Sequence, residues 1–505
     1  MPRGEGARPV VLVGLLLIGV SGSLLLKASL VRPPGTVFVG TFYYRDDFYN
    51  YLSYVQQAED GALVLGNKLA PPTAPPRLVN VEWLLVGWLS RLLGGHPLVA
   101  YRLFGALAAL VLVVLVDGAL RRAGIAPRKR GAGLLLVFAG GGLGGLLVAV
   151  RALPPERAYD LRAGLYPFVE VLANPHFVAG TALVLAALLE LAAGHHVRAV
   201  LLATVLGLVR PYDLATLVLV AVGATLLLDA RGDRLRRLLP LLGLLPVLAW
   251  NAWLFLLSPG FGAFSSARYA AVAPSPWELA LALGPAVILA LAAGRRRAGS
   301  DPEHRHRAYL ALWAGAALAL GALPLFPFSS QFLVGVGVPL LGLAAVGLSG
   351  MRHRWLEAAV PLLAGSSVLI VVLVWGPSPA WDVPASRWRV AATTLRPLCR
   401  RGDLVLAPPD VGLYVGGLTA CWPWVSHRAA PTFDARDRAA RRFYADTSAE
   451  GRSRFLAETG VRFVVLPRPK AEGAGWSPAE ADFRRVEGSA GSDLAVFARE
   501  GQGQR

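Results

Sequence analysis

Long apolar runs separated by short polar breaks fill the chain as far as residue 375. A membrane-spanning helix needs about 20 apolar residues. Runs of roughly that kind occupy 9–31, 98–117, 132–150, 176–193, 197–209, 212–228, 238–256, 277–293, 308–323, 332–349 and 355–375. The pattern predicts a mainly α, polytopic transmembrane bundle of about 11 helices. The fifth and sixth runs form one apolar stretch broken by Arg210-Pro211-Tyr212-Asp213. Proline removes a backbone donor and stops a helix, so this break predicts a tight reversal. The first run is interrupted only by Lys27 and no small-x-small cleavage site follows it, which predicts an uncleaved first helix. The Gly-rich AGGGLGGLL at 139–147 falls inside the third run and predicts close helix packing.

Beyond Gly376 the pattern changes. It predicts a helix over 386–400, a strand over 403–408, a short helix, a strand over 421–425, helices over 434–459, a strand over 461–467 and two closing strands near 484–498. Short buried strands alternating with helices predict a small α/β domain. Two domains follow: a transmembrane module over 1–375 and an α/β domain over 376–505, with Pro377, Pro379 and Pro384 as linker. The connection at 32–97 is long, and long loops tend to be functional. Asp46, Asn50, Ser53 and Gln57 make a polar helical stripe in it. Phe48, Leu52 and Val55 make an apolar stripe, and Tyr43, Asp47, Tyr51 and Tyr54 a third face. VEWLLVGWLSRLLGG at 81–95 predicts a helix lying flat at the membrane interface, where Trp83 and Trp88 would sit.

Composition agrees: 55% of the 505 residues are hydrophobic and 16% charged, against about 25% charged in average soluble domains. The net charge of +18 would suggest nucleic acid in a soluble protein. Here the arginines cluster in the short loops 121–130, 194–198, 229–237, 295–307 and 350–354, and no nucleic-acid motif is present. The alternate loops 32–97, 151–175, 210–213, 257–276 and 324–331 are poorer in basic charge or mixed. The positive-inside rule then predicts a cytoplasmic N-terminus and, with an odd helix count, an extracytoplasmic tail. Merging the fifth and sixth runs would place the Arg-rich loops at 295–307 and 350–354 outside. The two cysteines, Cys399 and Cys421, exclude a disulfide scaffold. Free thiols are the first expectation, with one disulfide as the alternative in an oxidising compartment.

The acids Asp46 and Asp47 stand out in YYRDDFYNYL. An acid beside lipid is costly without a partner or a purpose. The plain alternative is a pair at a helix start, where the dipole favours acids. Asn174 and His176 open the fourth run, where backbone N–H groups could hold an anion or simply be capped. Arg210 and Asp213 either pair across the reversal or leave Arg210 to meet a phosphate. Glu170 is a surface carboxylate or a buried functional acid, and Arg102 a snorkelling or ligand-binding cation. Arg268, with Ser265 and Ser266, lies in a loop able to cover a headgroup. Arg45, Tyr43, Tyr51, Lys68 and Gln331 complete the candidate binding set. His195, His196, His304 and His306 read as solvated surface. No zinc, EF-hand, Walker or GxSxG pattern occurs.

RDDFYNYL after a first transmembrane helix, NPHF at 174–177, the RPYD break and the tail stretch 431–467 together resemble the GT-C superfamily of membrane glycosyltransferases. The resemblance implies transfer of a sugar, with inversion, from a polyprenyl-phosphate donor to a glycan, lipid or protein acceptor outside a bacterial inner membrane. It implies that Asp47, or Asp46 close behind, is the general base. It leaves open a divalent ion (Mg or Mn), for which Asp46, Asp47 and Glu170 are the candidate ligands. One departure stands out: related bacterial members often carry an arginine before the late helix FLVGVGVPLLGL, where this chain has Ser329-Ser330-Gln331. That departure keeps a non-catalytic glycan-assembly partner as the alternative. A transporter or flippase is the third reading, weakened by the absence of an evident internal repeat.

Overall fold

The computed structural model describes residues 7–69, 75–162, 164–258, 274–294, 301–323, 329–351, 354–376, 381–428, 430, 432–446, 448–467, 482–486 and 493–500. Arg268, Ser265, Ser266, Pro377 and Pro379 lie outside these residues. The contacts divide the chain into two units. One contains Met1–Ala28, Tyr101–Trp253 and Ala267–Ser378; the other contains Ser29–Ala100, Leu254–Ser266 and Pro379–Arg505.

The first unit is helical. Among the described residues, seven helices of the chain are long and apolar enough to cross a membrane: Arg8–Leu30, Pro97–Arg122, Pro175–Ala192, Pro211–Leu228, Arg231–Leu257, Ser329–Ser349 and Trp355–Trp375. His196–Val209 and Pro276–Leu291 are apolar but shorter. The run expected at 308–323 is part of a helix over Asp301–Ala322. Burial sorts these helices: 94% of the Ser329–Ser349 span is buried but only 17% of Arg231–Leu257. The Gly-rich late helix is therefore closely packed on all sides, and the Leu-rich one leaves most of its side chains uncovered by the rest of the described residues. Small residues allow this close packing. A Cβ on Gly337 would come within 2.6 Å of Leu165 O and of the Tyr166 ring.

The run at 132–150 is not one helix. It divides into Pro127–Ala139 and Gly144–Ala149, with an open turn where the glycines fall. Leu143 N donates to Leu281 O at 3.0 Å, and a Cβ on Gly142 would lie 2.3 Å from Ala282 O. The glycines do serve close packing, as expected, but by letting a bare backbone meet the helix over Pro276–Gly294. Lys27, the interruption in the first run, donates to Val374 O at 2.8 Å and Gly376 O at 3.1 Å. It thus satisfies carbonyls at the end of the helix Gly365–Trp375.

The second unit joins the first loop to the tail. Strand β1 (Thr36–Phe38) pairs antiparallel with β2 (Asp382–Pro384). The predicted loop helix is Arg45–Glu59, and Phe48, Leu52 and Val55 are all buried. The supposed polar stripe also turns inward: Gln57 Nε2 donates to Gly66 O at 3.0 Å, and Gly66 N donates to Gln57 Oε1 at 2.8 Å. The second loop helix, Val81–Leu92, is capped by Asn80 and packs on the first. Its contact is close enough that a Cβ on Gly87 would fall 2.4 Å from Ala58 Cβ. Trp88 is exposed as expected for an interfacial ring, but Trp83 is buried and stacks on Tyr51 with centroids 4.8 Å apart.

In the tail the remaining strands are β3 (Leu404–Leu406), β4 (Trp422–Pro423), β5 (Phe463–Pro467), β6 (Phe483–Arg485) and β7 (Leu494–Arg499). They form one sheet in the order β4-β3-β5-β7-β6. β3 runs parallel to β4 and β5, whereas β7 is antiparallel to β5 and β6. Helices Phe433–Ala445 and Ala449–Thr459 bury Ala440, Phe443 and Leu456 in a core with Leu406, Val464, Phe483 and Phe497. Cys399 and Cys421 form a disulfide, so the free-thiol expectation is replaced by its alternative. The helix 385–395 and β4 carry the two cysteines to one edge, which composition alone could not indicate. Lys68 is buried beside this edge and donates to Thr419 O at 2.8 Å. Burial lowers its ammonium pKa from 10.5 to about 7.

Candidate active site

In the second unit the acid pair opens the helix Arg45–Glu59. Tyr44 precedes it at φ 44°, in the left-handed region that costs a non-glycine residue about 1–2 kcal/mol. Strain of that kind is kept only where surroundings enforce it. The enforcement comes from Phe48 and Tyr49, which are 0% and 1% exposed and anchor the first turn. Tyr49 Oη donates to Val39 O at 3.1 Å and accepts from Trp388 Nε1 at 3.1 Å. Gly417 lets the helix Pro409–Leu418 approach, since a Cβ there would lie 2.6 Å from the Tyr49 ring. The acids are therefore on a rigid element.

The Asp47 side chain is about half exposed, at 47%. Its Oδ1 lies 3.2 Å from Nε2 of His427, whose side chain is 9% exposed. The carboxylate only accepts, so Nε2 carries the proton and the imidazole orients Asp47. Asp46 lines a cleft of ≈ 720 Å³ with Arg45, Asp410, Leu413, Ser426, Arg428, Phe433, Asp437 and Arg441. Asp410 is paired with Arg387, and Asp437 accepts from Arg441 at 2.8 Å. Asp410 follows β3, and Ser426, His427 and Arg428 follow β4. The cleft thus opens at the carboxyl end of parallel strands, where ligands of open α/β sheets bind. Sequence reading missed His427 and Asp410. The available signal was their position just after two strands that could be parallel.

Of the other loop candidates, Arg45 lines this cleft, whereas Tyr43, Tyr51 and Lys68 are not in its lining. Tyr51 lies against Trp83, and Lys68 is committed to Thr419. Tyr43 sits beside Tyr44, and burial raises its phenol pKa well above the usual value.

In the first unit a second polar cluster gathers Glu170, Asn174, His176, Arg210, Asp213 and Gln331 from three separate stretches of chain. Arg210 ends the helix His196–Val209 and Pro211 starts the next, which is the reversal expected from RPYD. The Arg210 guanidinium is 1% exposed, with Nε 3.1 Å from Asp213 Oδ2 and Nη2 donating to Gln331 O at 3.1 Å. Its Cζ stands 5.2 Å from the Phe177 ring centre. Gly180 makes room, because a Cβ there would lie 2.5 Å from Arg210 Cδ. Glu170 is fully buried, not at the surface, and Oε2 accepts from Thr181 Oγ1 at 3.2 Å. Burial raises its carboxyl pKa from 4.5 to about 8. Asn174 stands at the helix start without a side-chain cap bond, because its Oδ1 accepts from Tyr101 Oη instead. His176 has its ring beside Phe177, with centroids 6.2 Å apart. Arg102 Nη1 donates to Leu172 O at 3.3 Å.

Five buried atoms of this cluster have no hydrogen-bond partner among the described residues; Arg210 Nε and Asp213 Oδ2 face each other as an ion pair, which leaves Glu170 Oε1, Asn174 Nδ2 and Arg210 Nη1. Each such atom costs about 1–3 kcal/mol unless water or a ligand meets it. No group of three His, Cys, Asp or Glu side chains able to hold a metal occurs among the described residues. Of the suggested metal trio, Asp46 and Asp47 belong to one unit and Glu170 to the other.

No family model and no curated protein matches the sequence. Solved membrane enzymes do share its fold. The oligosaccharyltransferase AglB from Archaeoglobus fulgidus, in complex with an inhibitory peptide and a dolichol-phosphate, aligns with a TM-score of 0.50 at 12% identity, covering 90% of this chain and 69% of that one. The arabinofuranosyltransferase AftD from Mycobacteria aligns at 0.57 and 16% identity over 99% of this chain but 40% of its own. ArnT from Cupriavidus metallidurans, bound to undecaprenyl phosphate, aligns at 0.55 and 16% identity over 97% of this chain and 98% of its own. At these identities the likeness establishes the fold: a GT-C-like transmembrane bundle with a small sheet-containing C-terminal region.

Proposed function

We propose that this GT-C-fold chain is a membrane glycosyltransferase that moves a sugar from a polyprenyl-phosphate donor to a hydroxyl acceptor outside the membrane, with Asp47 as general base. The observation that carries the proposal is the half-exposed Asp47 carboxylate, held by His427 on a rigid helix next to a polar cleft. In the step, the acceptor hydroxyl gives its proton to Asp47 as its oxygen bonds to the anomeric carbon. The bond from that carbon to the phosphate oxygen breaks with inversion, and polyprenyl phosphate leaves with the electron pair. The proton transfer needs no metal.

Cleft chemistry supports a glycan acceptor. Three arginines and three aspartates balance in charge, and Phe433 adds an aromatic face. Such a set offers both donors and acceptors to a neutral polyhydroxyl chain, whereas a nucleic-acid site would be strongly basic. The polyprenyl-phosphate complexes of AglB and ArnT support the donor class. One observation favours a non-catalytic binding partner instead: Gln331 stands where an arginine was expected, and Arg210 is largely committed to Asp213 and Gln331.

The test is turnover of a panel of polyprenyl-phosphate sugars by the purified full chain, read as polyprenyl phosphate released. Asp47→Asn should lower the rate by about 100-fold or more, in keeping with general-base losses. Asp46→Asn should lower it less, through acceptor binding. Donor bound but turned over equally slowly by the parent and both variants would make the acids structural and leave the binding-partner reading.

A further inference from the structure

The first unit holds a second concavity, of ≈ 620 Å³, which shares no lining residue with the cleft beside Asp46 or with the cluster around Arg210. It is lined by Gly194, His195, His196, Val197, Arg198, Asp233, Arg236, Arg237 and Pro240, that is, by two loops that the charge pattern assigns to the cytoplasmic end. Chain connectivity puts them at one end of the bundle. The helix Pro175–Ala192 ends there, His196–Val209 starts there, and Pro211–Leu228 returns there before Arg231–Leu238. Packing holds the walls together, as Gly243 lies where a Cβ would touch Val200 at 3.1 Å.

Three arginines and two histidines face one aspartate around this space. Some of that charge is committed. Arg237 Nη1 is 3.3 Å from the buried Asp229, which Arg305 also holds at 2.8 Å. His195 Nδ1 is 2.9 Å from Glu190 Oε2, and Arg198 approaches the same oxygen at 3.8 Å. The buried Nδ1 of His196 has no hydrogen-bond partner among the described residues. Membrane orientation requires arginines in such loops but does not require them to ring a cavity. The histidines, expected to be solvated surface, line it.

What lies beside the basic rim identifies the occupant. Val197, which lines the pocket, is 69% exposed, and Leu201, Leu235, Leu239 and Leu242, further along the chain segments that line it, are 63%, 74%, 57% and 55% exposed. A soluble anion has no use for such flanks, but two acyl chains do. We infer that this pocket binds the phosphate headgroup of an anionic phospholipid of the cytoplasmic leaflet, with its acyl chains along these exposed aliphatic side chains. Basic pockets at the cytoplasmic ends of transmembrane helices suit such headgroups. The inference does not depend on the proposed transfer reaction.

The test uses the full chain, delipidated in detergent and titrated with phosphatidylglycerol or phosphatidylcholine, with bound lipid counted by native mass spectrometry. The expected result is preferential retention of phosphatidylglycerol, weakened about fivefold by Arg236→Gln, the effect of one cation near an anionic headgroup. Arg231→Gln, on the same helix but outside the lining, should leave retention unchanged. Arg236 is exposed, so its substitution leaves the fold intact, and thermal melting checks this. Equal retention by the parent and Arg236→Gln, or equal loss in Arg231→Gln, would overturn the site. Displacement of the lipid by millimolar inorganic phosphate would overturn the lipid assignment in favour of a soluble anion.

Discussion

Replacing Lys68 by methionine tests the burial of a cation in the unit that carries Asp47. The ammonium is 5% exposed, and its pKa falls from 10.5 to about 7 because burial disfavours the charged form. Asp60 opposes that fall and Arg401 adds to it. At about 1.4 kcal/mol per pH unit the interval amounts to about 5 kcal/mol. The sign follows from proton counting. Between pH 7 and 10.5 the unfolded chain keeps a proton that the folded chain has released, so stability rises with pH. Below pH 7 both forms are protonated and the full cost is present; above 10.5 it has gone. Lys68→Met removes this dependence and loses one hydrogen bond to Thr419 O, worth about 1 kcal/mol. The variant should therefore be several kcal/mol more stable than the parent near neutral pH, and the gap should close as the pH approaches 10. The assay is a set of thermal melts in one detergent across that range, followed by the fluorescence of tryptophans such as Trp83 and Trp422. Parallel stability–pH curves for the two proteins would refute the reasoning, since they would mean that Lys68 titrates alike folded and unfolded.

Three further outcomes are expected. Cys399→Ser with Cys421→Ser opens a link across a sequence separation of 22 and should destabilise the second unit by about 3 kcal/mol, read as a lower melting midpoint that reductant no longer changes. Glu170→Gln should be tolerated, because the buried carboxyl is neutral up to about pH 8 and an amide of the same shape still accepts from Thr181. The parent should lose stability as pH rises from 4.5 through 8, since its folded form binds the extra proton there, and the variant should lack that decline in pH-resolved melts. Gly87→Ala places a methyl group 2.4 Å from Ala58 Cβ and 2.7 Å from Val55 O. It should cost about 1–3 kcal/mol and disturb the helix that carries the acids, measured as a melting shift with lowered donor turnover.

Hydropathy and proline placement determined much of the protein by themselves. Lipid leaves a backbone few alternatives to the helix, so apolar run lengths mark the spans directly. Pro211 marked the reversal, and alternating short runs marked the strands that became β3 to β7. The residues Glu170, Asn174, His176, Arg210 and Gln331 could be picked out singly, because polar groups in apolar surroundings are conspicuous. Tertiary structure alone decided what they meet. Helical period gave Asp46, Asn50, Ser53 and Gln57 one polar stripe, but not that the Gly66 backbone would supply hydrogen bonds to a buried Gln57. Trp83 had the composition of an interfacial ring until Tyr51 offered a stacking partner. A glycine run reads as helix from its apolar neighbours, and only the approach of the 276–294 backbone makes the open turn at 140–143 favourable. Nothing local announces that His427 reaches Asp47 across 380 residues or that β1 pairs with β2. Periodicity reports a residue's own environment, whereas long-range pairs depend on loop closures whose cost varies only slowly with length, so the sequence carries almost no trace of them.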